Sequence, residues 1–392
     1  MGSDDSFSTR SIHDATAPRS VNPPAVGGIE QSAGWTFADL DEVDDVYEGL
    51  RRGAIYGGSG VPNHWALEAA LCSLHGAVET LITAAGMSAM AAAFFTCLRH
   101  GDTVVVSRDL YSSTARLLAD FARFGVRSVF ADVYDPAALT KTLSAGARLL
   151  VVETISNPRA RVIDVAALAA AAHEHTALLL VDNSLASPYH CQPLRLGADI
   201  VMESLTKFIG GHHDLMLGAL CGRRELIEPA RSFAARCGLI GSAFDCWLAC
   251  RSLATLELRL SRSSSNALAV ASWLATQAAV KATHYSGLPA DPSYAAADAT
   301  LSRGFGSIVS FELADDRAAV DRFLAHLRLI KLVLSFGGVA TTVSHPVTSS
   351  HRSLSQDERA AVGLHDGFLR LSVGVEDPAD IIRDLKCGLA AV

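Results

Sequence analysis

From residue 62 onward, two kinds of apolar segment alternate along the chain. Short unbroken runs occur at 79–85 (ETLITAA), 103–107 (TVVVS), 127–132 (RSVFAD), 148–154 (RLLVVET), 177–183 (ALLLVDN) and 198–204 (ADIVMES). Their length and their Val, Ile and Leu content predict buried strands. Between most of them lie longer segments with apolar residues three and four apart. These are 64–76, closed by Gly76; a segment that opens at Gly86-Met87 and stops at Gly101; 111–124; and 165–175. That spacing predicts amphipathic helices, with glycine as a stop signal. Strands buried on both faces and separated by helices predict a mainly parallel sheet covered on each side, an α/β fold. Residues 218–222 (GALCG) predict one more strand.

The pattern changes after about residue 244, where a long helical stretch (FDCWLACRSLATLELRLSRSSSNALAVASWLATQ) begins. Beyond it, strands at 307–313, 332–337 and 369–374 and helices at 316–327 and 378–390 predict a smaller α+β unit. Residues 1–55 mix Pro, Gly, Ser and acids with little apolar periodicity. They predict an extended arm with one short helix, lying against something other than its own core. The expected organisation is therefore an arm (1–55), a large α/β domain (56–250) and a small α+β domain with its linking helix (251–392). The sequence carries no internal repeat.

Composition narrows the class. The chain has 392 residues, 49% of them hydrophobic, and a net charge of −8. That is ample for a large core, and without a basic tract nucleic acid is not an expected partner. The eight cysteines form no C-x-x-C pair, so no metal site is expected. Cys246 and Cys250 share one helix face, and the usage as a whole fits free thiols in a reducing cytosol. The start, MGSDDSFSTRSIHDA, lacks the apolar core of a signal peptide, and no apolar run is long enough to span a bilayer. A soluble cytoplasmic protein is expected.

The chemistry concentrates at 178–214. The run 178–181 ends in Asp182, and the next run ends in Ser204-Leu205-Thr206-Lys207. Consecutive parallel strands would set this acid and this lysine on one sheet edge, where open α/β sheets bind ligands. A lysine amine forms Schiff bases with carbonyl cofactors, and an acid is the usual partner of a pyridinium nitrogen. The pair points to pyridoxal phosphate. Ser204 and Thr206 offer hydroxyls for a phosphate, and Gly86 and Met87 offer N–H groups at a helix start.

SLTKFIGGHHD (204–214) resembles the lysine motif S-x-T-K-Y-x-x-G-H-x-D of the Cys/Met-metabolism pyridoxal phosphate enzymes. These are the cystathionine γ-synthases, cystathionine γ- and β-lyases and methionine γ-lyases. VDNSLASPY (181–189), GMSAM (86–90), DLYSSTAR (109–116), LSFGGV (334–339) and LRLSVGVED (369–377) match further motifs, and the resemblance runs from about residue 10 to the C-terminus. It implies a fold-type I pyridoxal phosphate-dependent transferase fold and a homotetramer of two catalytic dimers. It also implies residue roles. Lys207 would hold the cofactor and move protons, and Asp182 would pair with the ring nitrogen. Tyr111 would stack on the ring, and Asn157 would meet its phenolic oxygen. Gly86, Met87, Ser204 and Thr206 would hold phosphate. Ser184 replaces the common Thr and keeps the hydroxyl. Ser335 and Arg370 would bind the substrate α-carboxylate, and Tyr56 would reach the site of a neighbouring subunit.

The chain departs from the pattern at several points. Tyr56-Gly57-Gly58 stands where the family has Y-x-R, so a phosphate-binding arginine is missing; Arg51 and Arg52, just upstream, are the candidates to compensate. Lost charge-assisted bonds to phosphate are worth roughly 1.5–3 kcal/mol. Leu334 occupies the place of a substrate-reading glutamate, Ser113 that of a methionine γ-lyase cysteine and Ala340 that of a frequent acid. Arg116 matches an arginine that meets the distal carboxylate of bulky substrates. The implied activity is γ-elimination or γ-replacement on a sulfur amino acid or activated homoserine. Two alternatives stay open: a specialised lyase that expels a non-sulfur γ-substituent such as halide, and a catalytically silent scaffold.

Overall fold

A computed structural model describes residue 22 and residues 24–392, apart from 315 and 353. Strands β1 (Glu79–Thr83), β2 (Thr103–Ser107), β3 (Arg127–Ala131), β4 (Leu149–Glu153), β5 (Leu178–Asp182), β6 (Ile200–Ser204) and β7 (Gly218–Gly222) form one sheet in the order β1-β7-β6-β5-β4-β2-β3. Only β7 runs against the rest, pairing antiparallel with both β1 and β6. The mainly parallel reading holds. Except in the edge strand β3, where only Ala131 is buried, alternate residues of the strands feed two separate cores. Val105, Leu150, Val152, Leu179, Val181 and Val201 point into one. Val104, Val106, Leu149, Val151, Leu180 and Met202 point into the other. Both faces are covered by helices, which is why these strands read as unbroken apolar runs.

The helices Pro62–His75 and Gly86–Cys97 fall where the periodicity placed them, and Gly76 ends the first in a left-handed conformation. The helix Arg224–Arg236 was not visible in the sequence pattern. Its buried stripe, Ile227, Ala230 and Ala234, is narrow, and it carries Pro229, a residue that argues against a helix, on its exposed side. The long stretch from 244 divides into Ala243–Leu253 and Leu256–Leu274.

A second sheet holds β8 (Ala282–His284), β9 (Ile308–Glu312), β10 (Lys331–Leu332), β11 (Thr342–Ser344) and β12 (Phe368–Ser372), in the order β10-β11-β12-β9-β8. Here the structure corrects one expectation. The predicted strand 332–337 is a strand only at Lys331–Leu332. Residues 334–337 leave the sheet and turn toward Lys207, with Gly337 at φ +93°. Within the arm, the short helix is Leu40–Tyr47, capped by Asp39, whose Oδ1 accepts the Glu42 N–H at 2.9 Å. That helix has no buried residue, and Leu40 and Tyr47 are exposed. Among the described residues no helix is long and apolar enough to cross a membrane.

Candidate active site

The parallel pair β5–β6 delivers Asp182 and, one turn beyond Ser204, Lys207 to the same carboxyl edge of the large sheet. The turn is closed by the Lys207 N–H donating to the Ser204 carbonyl at 3.0 Å. Asp182 is buried and accepts the Ser184 N–H at 3.0 Å. Burial pushes its carboxyl up to about 6, against the opposing pull of Ser184 and Lys207. Lys207 Nζ donates to Ser335 Oγ at 3.0 Å and lies 4.8 Å from the centre of the Phe336 ring. Burial lowers the amine's pKa, the nearby Arg370 charge lowers it further, and Asp182 opposes both. A lysine that yields its proton easily is the form that attacks a carbonyl.

Arg370 sits in β12 and is buried. Its Nη1 donates to Asn157 Oδ1 at 2.6 Å and its Nη2 to the Ser335 carbonyl at 3.5 Å. Burial lowers its pKa to about 10, and its Nε has no hydrogen-bond partner. A buried guanidinium without a carboxylate is costly unless an anion arrives. Its planar fork suits a substrate carboxylate.

The helix Gly86–Cys97 starts at the same edge, with no acid in its first turn. Its first N–H groups have no acceptor within the helix. A Cβ at Gly86 would lie 3.0 Å from Ser204 Cβ, so glycine lets the helix start close against the lysine turn. The Ser204 N–H is held by Ser184 Oγ at 2.8 Å. Thr206 Oγ1 both accepts the Leu217 N–H at 3.1 Å and donates to its carbonyl at 3.2 Å. Met87, which follows Gly86 in the helix, is half-buried. A half-buried lysine, a buried acid and a helix start without acids fit the aldehyde, pyridine and phosphate of pyridoxal phosphate.

The other expected residues are more exposed. Tyr111 caps the helix Ser112–Phe121 and is 38% exposed. Tyr56 is 62% exposed and bridges Gly34. Arg51 pairs with Glu42 of the arm at 3.2 Å, and Arg52 lies over Trp65 of the helix Pro62–His75, so both upstream arginines are engaged within this chain. Leu334 is 69% exposed. Arg116 lines a cavity of about 650 Å³ beside Ser112 and Asn157, together with Arg108, Arg159 and Arg161.

Sequence reasoning missed Glu153. It ends β4 directly opposite Asp182 in β5 and is buried. Its Oε1 accepts the Tyr111 N–H at 2.6 Å and its Oε2 the Asn157 N–H at 3.3 Å. The signal was present as an acid closing an apolar strand, the same cue that singled out Asp182. Among the described residues no cluster of His, Cys, Asp and Glu is arranged to hold a metal.

The model of the Cys/Met metabolism PLP-dependent enzyme family matches residues 8–390. The chain is 38% identical over 362 residues to an O-succinylhomoserine sulfhydrylase of Pseudomonas aeruginosa, covering 92% of this chain and 90% of that one. It is 34% identical over 388 residues to an L-methionine gamma-lyase of Pseudomonas putida, covering 98% and 97%. The crystal structure of cystathionine gamma synthase from Xanthomonas oryzae pv. oryzae, in complex with aminoacrylate and cysteine, superposes with a TM-score of 0.89 at 36% identity, covering 93% of each chain. The fold is thus the fold-type I α/β arrangement. With its match extending over nearly the whole length and an amine, an acid and an open helix start at one sheet edge, the chain belongs to the Cys/Met metabolism enzymes that depend on pyridoxal phosphate.

Proposed function

We propose that this enzyme carries out γ-replacement or γ-elimination on a sulfur amino acid or an activated homoserine. The observation that carries the reading is the line from Lys207 Nζ through Ser335 to Arg370 and Asn157. It sets a proton-accepting amine beside a buried site for a carboxylate, which is what an α-amino acid needs at its Cα. Bound pyridoxal phosphate supplies an electron sink for the charge left when that carbon loses a proton. Arg370 and Ser335 hold the substrate carboxylate. Lys207 carries the cofactor and takes the Cα proton, then moves protons at Cβ. Asp182 would pair with the ring nitrogen, Tyr111 would stack on the ring, and Gly86, Met87, Ser204 and Thr206 would hold the phosphate.

The large domain at 56–250 and the small one at 251–392 close this site between them in the proposed arrangement. The active form is a homotetramer of catalytic dimers in the cytoplasm, in which Tyr56 reaches a neighbour's site. Its exposure within one chain supports that reading. Leu334, an exposed apolar residue next to Ser335, favours a second reading in which the γ-substituent is not an amino-acid tail but halide or another non-sulfur group.

Product analysis separates these. The cofactor-loaded protein is given O-succinyl- or O-acetylhomoserine with and without cysteine or sulfide, then cystathionine, methionine and a γ-halogenated amino acid. A thioether or thiol product from the activated homoserines makes it a replacement enzyme. Thiol and 2-oxo acid from methionine or cystathionine make it a lyase. Halide release alone selects the second reading. No turnover of any of them, with a normal cofactor band, leaves the scaffold alternative standing.

A further inference from the structure

Glu153 belongs to no role assigned above. It is 4% exposed, and among the described residues its carboxylate is met by two backbone N–H groups and by no ion pair. A buried carboxylate with no cation is costly to keep. Each of its oxygens instead serves a different loop. Oε1 takes the N–H of Tyr111, which follows β2, and Oε2 takes the N–H of Asn157, which follows β4. Asn157 then receives Arg370 Nη1 through its own side chain. One carboxyl group therefore joins the loop of the ring-stacking residue to the loop that holds the carboxylate anchor.

We propose that Glu153 is a positioning residue that sets the spacing of Tyr111 and Asn157 against the cofactor ring. The proposal rests on the assignment of those two residues and of Lys207 to the cofactor. Both oxygens of Glu153 act as acceptors, so glutamine cannot replace it cleanly. The amide introduced by Glu153→Gln would turn its NH2 toward one of the two N–H groups, and donor would face donor. Aspartate keeps both carboxyl oxygens but is one carbon shorter, so it reaches one loop better than both. Arg370 is pulled by Asn157, so a shift of that loop also changes how the α-carboxylate is held. Burial and the adjacent Asp182 raise the Glu153 pKa, while the two N–H bonds oppose that shift.

The test uses full-length Glu153→Gln and Glu153→Asp, stripped of cofactor and titrated with pyridoxal phosphate. Cofactor affinity, the pH midpoint of the visible band of Lys207-bound cofactor and the melting temperature of the cofactor-free protein are recorded. The expected result for Glu153→Gln is a loss of about 10-fold or more in cofactor affinity and a shifted midpoint, with cofactor-free melting little changed. Glu153→Asp should recover part of both. Wild-type affinity and midpoint in a folded Glu153→Gln overturn the proposal. If that variant does not fold, Glu153→Asp decides: a shifted midpoint supports positioning, and a wild-type midpoint overturns it. Failure of both to fold assigns Glu153 to the core and also overturns it. A wild-type protein with no cofactor band sinks the Lys207 assignment and this proposal with it, whereas a normal wild-type band with unchanged variants sinks this proposal alone.

Discussion

Burial sets the chemistry of the individual groups. Lys207 loses part of its preference for the charged form through desolvation, and Arg370 adds to that loss. Replacing Lys207 with Ala removes the amine proposed to bond the cofactor. The expected outcome is a folded protein without the visible band of bound cofactor and with turnover down by about 10³-fold or more, checked by absorbance and product assay. Asp182 shifts the other way, its carboxyl raised to about 6 from an ordinary value near 3.8. Its neutral form is the comfortable one in the cofactor-free pocket. That contribution to stability is full below about pH 4 and is lost as pH rises through about 6. The cofactor-free protein should therefore lose melting temperature between pH 4 and 6, and Asp182→Asn should flatten that part of the profile. An unchanged profile in the variant would place the pH dependence elsewhere.

Elements matter through where they stop. β5 and β6 end at the same sheet edge because they are parallel neighbours, and the helix Gly86–Cys97 begins there. The Ser335 loop reaches the edge only because the chain abandons β10 after Leu332 and turns at Gly337. Gly337 has φ +93°, and a Cβ there would lie 2.7 Å from the Lys207 carbonyl carbon and the Phe208 nitrogen. Gly337→Ala is thus strained twice, in backbone conformation and in contact. It should destabilise the protein by about 1–3 kcal/mol and raise KM through displacement of Ser335, which melting and steady-state kinetics will read.

At the scale of the whole molecule, the site is incomplete in a single chain if Tyr56 acts on a neighbour. Its side chain is exposed, as are Leu40 and Tyr47 of the arm helix. Complementation tests this. Lys207→Ala and Tyr56→Ala variants, each nearly inactive, are unfolded together and refolded as a mixture. Random pairing restores one intact site in four, so activity should recover to about a quarter of wild type. Recovery absent from properly assembled mixtures would confine each site to one chain.

The sequence by itself determined the strand and helix alternation, the mainly parallel sheet and the Asp182–Lys207 pair. These are local properties: periodicity records which face of an element is buried, and the acid and lysine lie one strand apart in sequence. Their motifs were legible for the same reason. What the sequence pattern did not reveal depends on distant parts of the chain meeting. Ser335 reaches Lys207 across 128 residues, and Arg370 reaches Asn157 across 213. The motifs paired Ser335 with Arg370 only through resemblance. The tertiary structure decided that 334–337 is a loop rather than a strand, because its residues pack on Lys207 instead of a neighbouring strand. It also decided the place of Glu153. An acid at a strand end does not announce its partners, and only the packing of the loops after β2 and β4 brings the two N–H groups to its oxygens.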